Sequence, residues 1–596
     1  MSQNKSISLV RVLWLAALCI VSAIVAVLIW RLAIAAGPWD IVDLIYDDAY
    51  YYLTVAANTV DSGRSTLDGS TLTNGYQPLW FALVTLLGFV IGTDSMRYFA
   101  GFVALTCVMV LGSVLAGAPL RNSPTAVVRA ALAIGIALGV VFWSKVFLSG
   151  METVLLLPLV IPLVLFMERR LDRRTAVYLS GLFALAFLVR LDALSLLPAY
   201  MLTVLVIEPW ILSRVNRESY SGSVRGSRWR AIPLLFSVLV PVLVCYGVFN
   251  LAIYGTPVPV SGLAKSIGPR FANFGVLPAY AQEFKWLVPL IVIWAIAEVV
   301  AFKAGVRSAQ LLRSIGICAL ACCIQAAYFV VASTWHLWDW YFYFLALLMI
   351  IITARIVILG AGLWEREWRW PAAAVAGLIV ALTAAAMTQG VTANLRQTVR
   401  VPADPPTSIA GGDLTKDGRL FTYNQISLLM LRDFFLATPS QVDRIAMGDR
   451  AGGLAYWGRN TVEIVHTEGL LLGYDYIEAL RTGAADNYLS NDPGIKYYVV
   501  DRQYIPTVTR DNGKVVYVVA DPIQALKTYA DYHVSLFCFP QEAIRYQLRY
   551  DDGIGPTVRW AFSFDQRIDC TQDERTLIDD ALKRNELLPI SLPYEY

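Results

Sequence analysis

From position 8 to position 36 the chain carries an almost uninterrupted apolar run, and similar runs recur until about position 391, where they stop. A helix needs roughly 20 apolar residues to cross a bilayer, so the pattern predicts a polytopic α-helical membrane protein. The first run exceeds the roughly 7–15-residue apolar core of a signal peptide. It reads as a retained first span, although "AIAAG" imitates a cleavage site. Basic loops interrupt the later runs: "MERRLDRRT" (167–175), "SRVNRESYSGSVRGSRWR" (213–230), "FKAGVRSAQLLR" (302–313) and "WEREWRW" (364–370). Lys and Arg concentrate in cytoplasmic loops, which puts 144–150, 190–192, 252–285 and 334–340 on the opposite side. With the N-terminus cytoplasmic, the loop 37–77 is outside and 121–129 inside, so an odd number of crossings must fit between them. Of the two apolar segments there, "PLWFALVTLLGFVIG" (78–92) is the shorter and is expected to lie along the outer membrane surface. The count becomes about eleven spans, with the C-terminus outside.

Beyond 391 the periodicity changes. Strand-like pieces ("RIAMGD", "VEIVHT", "KYYVVD", "KVVYVVA") alternate with helical ones ("DYIEALRTGAADNYL", "DPIQALKTYADYH"). This predicts a compact extracytoplasmic α/β domain over 391–596, following a transmembrane domain over 1–390. Composition agrees: 57% of residues are hydrophobic and 16% charged, against roughly 25% charged in soluble proteins. A net charge of +3 gives no reason to expect nucleic acid. The eight cysteines show no metal-type spacing. Cys538 and Cys570 lie in the polar C-terminal region and can pair if that region is outside the cytoplasm. Three histidines supply no ligand set, and no P-loop, dinucleotide fingerprint or Ser-His-Asp pattern stands out. No cofactor is therefore indicated, though a divalent cation beside the acidic first loop is chemically reasonable.

The candidate chemistry gathers on the outer side. Asp47 and Asp48 stand in "DLIYDDAYYYLTVAANTVDSGRS" (43–65), within the first outer loop (37–77), which also carries Asp40, Asp43, Asp61 and Asp68 with only Arg64 opposing them. An aspartate at a helix start satisfies free N–H groups. Two adjacent carboxylates raise each other's pKa unless a cation or substrate compensates, and one can serve as general base toward a hydroxyl. In "FWSKVFLSGMETVL" Lys145 and Glu152 either pair with each other or mark function at the bilayer boundary. Arg190 and Asp192 stand in "LVRLDAL"; a guanidinium there suits a helix C-terminus or a phosphate. Lys265 and Arg270 lie in the Pro/Gly-shaped "NLAIYGTPVPVSGLAKSIGPR", and His336 and Asp339 in the aromatic "STWHLWDWYFYF".

In order along the chain, "YDDAYYYLTVAANTVDSGRSTLDGSTLTNGYQPLW", "SGMET", "VRLDAL", "YGTPVPVSGLAK" and "MGDRAGGLAYWGRNTVEIVHTEGL" resemble the GT-C membrane glycosyltransferases. The nearest sub-group is similar to the mycobacterial arabinofuranosyltransferases. The resemblance implies a multi-pass enzyme of a bacterial inner membrane. It would take a sugar from a polyprenyl-phosphate donor in the outer leaflet and pass it, with inversion, to a glycan or glycolipid hydroxyl. It also implies a first-loop aspartate as base, Asp47 or Asp48, with Asp47 favoured. Lipid phosphate needs cations, for which Arg190, Lys265 and Lys145 are the candidates. Glu152, Asp192, His336 and Asp339 are candidate substrate contacts. Tyr50, Tyr51, Trp335 and Trp338 either stack on sugar or anchor the interface. Two other classes remain open: a lipid-linked sugar flippase, and a non-catalytic envelope-assembly factor.

Overall fold

A computed structural model describes residues 2–366, 423–432 and 444–501, apart from breaks at 120–122, 216–221, 268–272, 307, 336, 449, 483 and 493. It also describes positions 368 and 377 and five strands between 507 and 564. His336, the apolar run near 371–391, Cys570 and the side chain of Cys538 lie outside the described residues.

Among the described residues seven helices are long and apolar enough to cross a bilayer: Ser8–Ile34, Ser95–Leu115, Pro124–Phe142, Leu191–Ile211, Trp229–Tyr254, Leu312–Ala332 and Asp339–Glu365. An eighth crossing is available if Val276–Phe284 and Val288–Lys303, bent by 51° to each other, act as one. The protein is therefore a helical membrane protein. Two segments expected as spans form shorter helices. Arg173–Val189 has 17 residues, and Glu152–Met167 is a 3-10 turn running into an α-helix interrupted by Pro162. Asp339–Glu365 is the central element, buried along its most apolar stretch. Gly135 and Gly139 of Pro124–Phe142 lie directly against its Ile350, the small-residue contact that lets helices approach closely in lipid.

Side-chain bonds divide the loops into two groups at opposite ends of the bundle. At one end Glu168 Oε1 accepts from Ser314 N (2.8 Å) and Oγ (2.7 Å). There too Arg313 Nη1 donates to the carbonyls of Met167 and Arg169, and Arg313 pairs with Glu208. Arg355, 1% exposed, spends all five N–H donors on Glu298 (2.7 and 2.9 Å), Ser308 and the Gln310 carbonyl. At the other end Tyr46 Oη donates to Asp339 (3.1 Å), Leu191 N to Gln77 Oε1 (3.1 Å), and Thr334 N to the Lys265 carbonyl (2.9 Å). Pro78–Ile91 starts beside Gln77 and is followed by Thr93 and Ser95, which bond Arg459 and Tyr456. Both its termini thus face the same end. Its 14 residues would rise about 21 Å, less than a hydrocarbon core.

The C-terminal part begins with Tyr423–Met430, whose Asn424 donates to the carbonyls of Val42 and Ile45 (3.1 and 3.3 Å). Its strands are β1 (Arg444–Met447), β2 (Glu463–His466), β3 (Ile495–Asp501), β4 (Thr507–Thr509), β5 (Val515–Ala520), β6 (Leu536–Pro540), β7 (Ile544–Tyr550) and β8 (Val558–Phe564). They form a five-stranded sheet of order β2-β1-β3-β8-β7 and a three-stranded sheet β4-β5-β6. β1 is parallel to β2 and β3, and β8 is antiparallel to β3 and β7. All four strand-like stretches read from the sequence are strands, and "DYIEALRTGAADNYL" forms Tyr474–Thr482 and Ala485–Ser490. "DPIQALKTYADYH" lies outside the described residues.

Candidate functional site

The first loop folds into a helix, Asp47–Ser62, with both aspartates in its opening turn, where carboxylates suit the helix dipole. Each residue turns about 100° from the one before, so the three consecutive tyrosines serve three partners. Tyr50 is wholly buried, donates to the Val42 carbonyl (2.6 Å) and stacks on Phe99. Tyr51 Oη accepts from Ala451 N (3.0 Å) and shares a hydrogen bond with His466 Nε2 (3.0 Å). Tyr52 donates to Glu152 Oε2 (2.9 Å) and accepts from Gln77 N (3.1 Å). Burial, followed by the Glu152 charge, raises the Tyr52 phenol well above its ordinary pKa, so it remains a donor.

The two aspartates separate in the same way. Asp47, 3% exposed, receives Gly452 N on Oδ2 (2.9 Å) and Gly453 N on Oδ1 (2.7 Å). Asp48 instead lines a small, partly open cavity of about 70 Å³, below the roughly 300–1,000 Å³ usual for a small-molecule site. The first loop supplies Asp48, Tyr51, Tyr52, Tyr76 and Gln77 to its wall. The bundle adds Met151, Glu152, Arg190, Trp340 and Tyr341, the 260s loop adds Ser261 and Lys265, and the C-terminal part adds Leu470 and Leu471.

Lys265 donates from Nζ to Tyr341 Oη (2.7 Å), with the ammonium 5.4 Å from the Tyr341 ring centroid. Burial alone would lower its pKa, but the Tyr341 oxygen and the Asp48 charge outweigh burial and raise it. Lys265 is therefore a permanent cation facing a carboxylate.

Arg190 is 3% exposed and already committed. Nη1 donates to Glu152 Oε1 (2.7 Å), Nε to Asp192 Oδ1 (3.0 Å) and Nη2 to Asp192 Oδ2 (3.4 Å). Its guanidinium lies 5.1 and 4.8 Å from the ring centroids of Tyr341 and Tyr343. Asp192 also accepts from Gln325 (2.6 Å), which in turn accepts from Tyr280 (2.6 Å). This chain crosses from the first loop into the bundle without a break.

Of the sequence-derived candidates, the cavity brings together Asp48, Tyr51, Glu152, Arg190 and Lys265. Asp192 stands behind Arg190. Tyr50 is not among the lining residues, and Asp47 faces Gly452 and Gly453. Lys145 and Glu152 do not pair with each other. Glu152 belongs to Arg190, while Lys145, half exposed, lies 3.4 Å from Asp339, which Tyr46 also bonds. Trp335 is buried and Trp338 stacks on Trp340, with ring centroids 5.9 Å apart. Tyr52, Gln77, Tyr341 and His466 escaped the sequence reading, as did the wall from Leu470 and Leu471. Their one legible signal was "GGLAYW", whose paired glycines permit a close approach. A Cβ on Gly452 would stand 2.1 Å from the Asp47 carbonyl oxygen.

Among the described residues no group of three or more His, Cys, Asp or Glu could hold a metal ion. Two carboxylates stand on the cavity wall, Asp48 and Glu152, and Glu152 is held by Arg190 and Tyr52. No protein-family model matches the chain, and no curated protein matches it at significant similarity.

Proposed function

We propose that the protein is an inverting glycosyltransferase of the GT-C kind. It would transfer a sugar from a polyprenyl-phosphate donor to a hydroxyl of a cell-envelope glycan or glycolipid. In this reading about eleven spans cross a bacterial inner membrane, with the basic-loop end cytoplasmic and the cavity and C-terminal domain outside. The observation that carries it is the presence of Asp48 and Lys265 on the wall of one aromatic-lined cavity.

The base is Asp48. Its carboxylate takes the proton of the acceptor hydroxyl as that oxygen attacks the anomeric carbon from the face opposite the phosphate. The bond from the anomeric carbon to the phosphate oxygen breaks, and polyprenyl phosphate leaves with the electron pair. Lys265 Nζ hydrogen-bonds the departing phosphate, stabilising charge as it develops. Phosphate is a good leaving group and needs no acid. Tyr51, Trp340 and Tyr341 line the cavity and would supply its aromatic surface to the sugar. The Glu152–Arg190–Asp192 cluster carries one net negative charge beside the cavity, which suits an oxocarbenium-like transition state.

The test is a transfer assay with purified protein, a panel of polyprenyl-phosphate sugars and envelope-glycan acceptors. Asp48→Asn should abolish transfer while donor binding and folding persist. Full transfer by Asp48→Asn would remove Asp48 as base. Movement of labelled lipid-linked sugar between leaflets without covalent transfer would favour a flippase instead.

A further inference from the structure

Asp47 and Asp48 are neighbours in sequence but have unlike surroundings, and the difference comes from the C-terminal domain. Both oxygens of Asp47 are bonded by successive amides, Gly452 N at 2.9 Å and Gly453 N at 2.7 Å. The backbone at the contact is so close that only glycine fits at 452, where a Cβ would meet the Asp47 carbonyl at 2.1 Å. One turn further along the same helix, Tyr51 binds Ala451 N and His466. Arg444 reaches back to Asp68 (2.6 Å) and Arg459 to Asp61 (2.7 Å). At the cavity itself the Leu470 carbonyl presses on Gly75, where a Cβ would stand 1.8 Å away. The first loop is thus held along its length by the C-terminal part, from Val42 and Ile45, which Asn424 bonds, through Asp47, the residue just before Asp48.

We propose that Asp47 is a positioning residue: by binding the amides of Gly452 and Gly453 it seats the C-terminal domain on the first loop and fixes Asp48 in the cavity. The cavity is complete only when that domain is docked. The part concerning Asp48 rests on the glycosyltransferase reading; the docking does not.

The geometry separates the two aspartates chemically. A carboxylate whose two oxygens each accept a backbone N–H is stabilised in its charged form and is a weak base. It serves its neighbour through rigidity, since a displacement of about 1 Å at a reacting group can cost about 100-fold in rate. On the described cavity wall Asp48 is accompanied by the charged side chains of Glu152, Arg190 and Lys265.

Two measurements on the full-length protein in lipid nanodiscs test this. Hydrogen exchange needs no substrate. In Asp47→Asn the amides of 452–457 should exchange about tenfold or more faster than in wild type, with Pro124–Phe142 unchanged as the folding control. Asp47→Glu, which keeps both acceptor oxygens, should restore part of the protection. In the transfer assay, with the rate expressed per donor-binding site, Asp47→Asn should lower kcat about 10- to 100-fold and leave KM for the lipid donor within about threefold. Loss of folded protein alone would leave that rate unchanged.

Unchanged exchange in Asp47→Asn would overturn the docking role. Loss of transfer as complete as in Asp48→Asn, with exchange unchanged, would make Asp47 the base. If wild type transfers no sugar from any donor it binds, the glycosyltransferase reading fails, and exchange alone decides the docking.

Discussion

Arg190 donates from Nη1 to Oε1 of Glu152 over 2.7 Å, and both side chains are all but sealed from solvent. A buried ion pair is costly to assemble and costlier to halve, because the survivor stays charged without a partner. Here Glu152 gains a second donor in Tyr52, and Arg190 a second acceptor in Asp192.

Arg190→Met should therefore destabilise the protein strongly, by about 3–5 kcal/mol, since it strands two carboxylates at once. Glu152→Gln should cost less, because its amide oxygen still accepts from Arg190 and Asp192 still balances the guanidinium. Thermal unfolding of both variants in the same detergent checks the order; equal midpoints would contradict it.

Lys265→Met removes the cation assigned to the donor phosphate. Hydrogen bonds involving charged groups are worth about 1.5–3 kcal/mol, so the donor KM should rise about 10- to 100-fold. Lys265→Arg should recover part of it. Steady-state kinetics against donor concentration provide the measurement, and an unchanged KM would assign the phosphate elsewhere.

His466 gives a pH dependence with a definite sign. Burial lowers its folded-state pKa from 6.5 to about 3. As pH falls below 6.5 the unfolded chain takes up a proton that the folded chain refuses, so stability is lost between pH 6.5 and about 3. The slope from this group approaches about 1.4 kcal/mol per pH unit. His466→Gln, able to keep a hydrogen bond to Tyr51, should flatten that part of the profile. Urea unfolding at pH 7.5, 6 and 5 measures it, and identical slopes in the two proteins would count against the assignment.

At the far end of the bundle, Arg355→Gln should lower the unfolding temperature without altering the donor KM. It removes the bidentate grip on Glu298 and most of the bonds to the 308–310 loop. A changed KM would mean the two ends are coupled.

Much of this architecture was legible from the chain, because hydropathy and loop charge are one-dimensional signals. The separation of 167–169 and 313–314 from 190–192 and 334–340 follows from where arginines interrupt apolar runs. β1, β2, β3 and β5 follow from short β-branched stretches. Partners were not legible. Lys145 and Glu152 are seven positions apart and of opposite charge, yet Glu152 pairs with Arg190 and Lys145 with Asp339. Nothing local in "DDAYYY" says which side chain turns toward which wall, since that depends on segments brought in by the fold. The glycines of "MGDRAGG" do mark a turn. That its amides face an aspartate hundreds of residues earlier is a property of three dimensions alone.

The distance along the chain between Asp47 and Gly453 is 406 positions, which sets an order of events during biosynthesis. The first loop emerges early and must wait with its carboxylate uncapped while every span of the bundle is made and inserted. Only when the chain beyond position 453 has been made can that carboxylate find its amides. Premature termination anywhere before that point would leave a membrane-embedded stub whose loop had never closed.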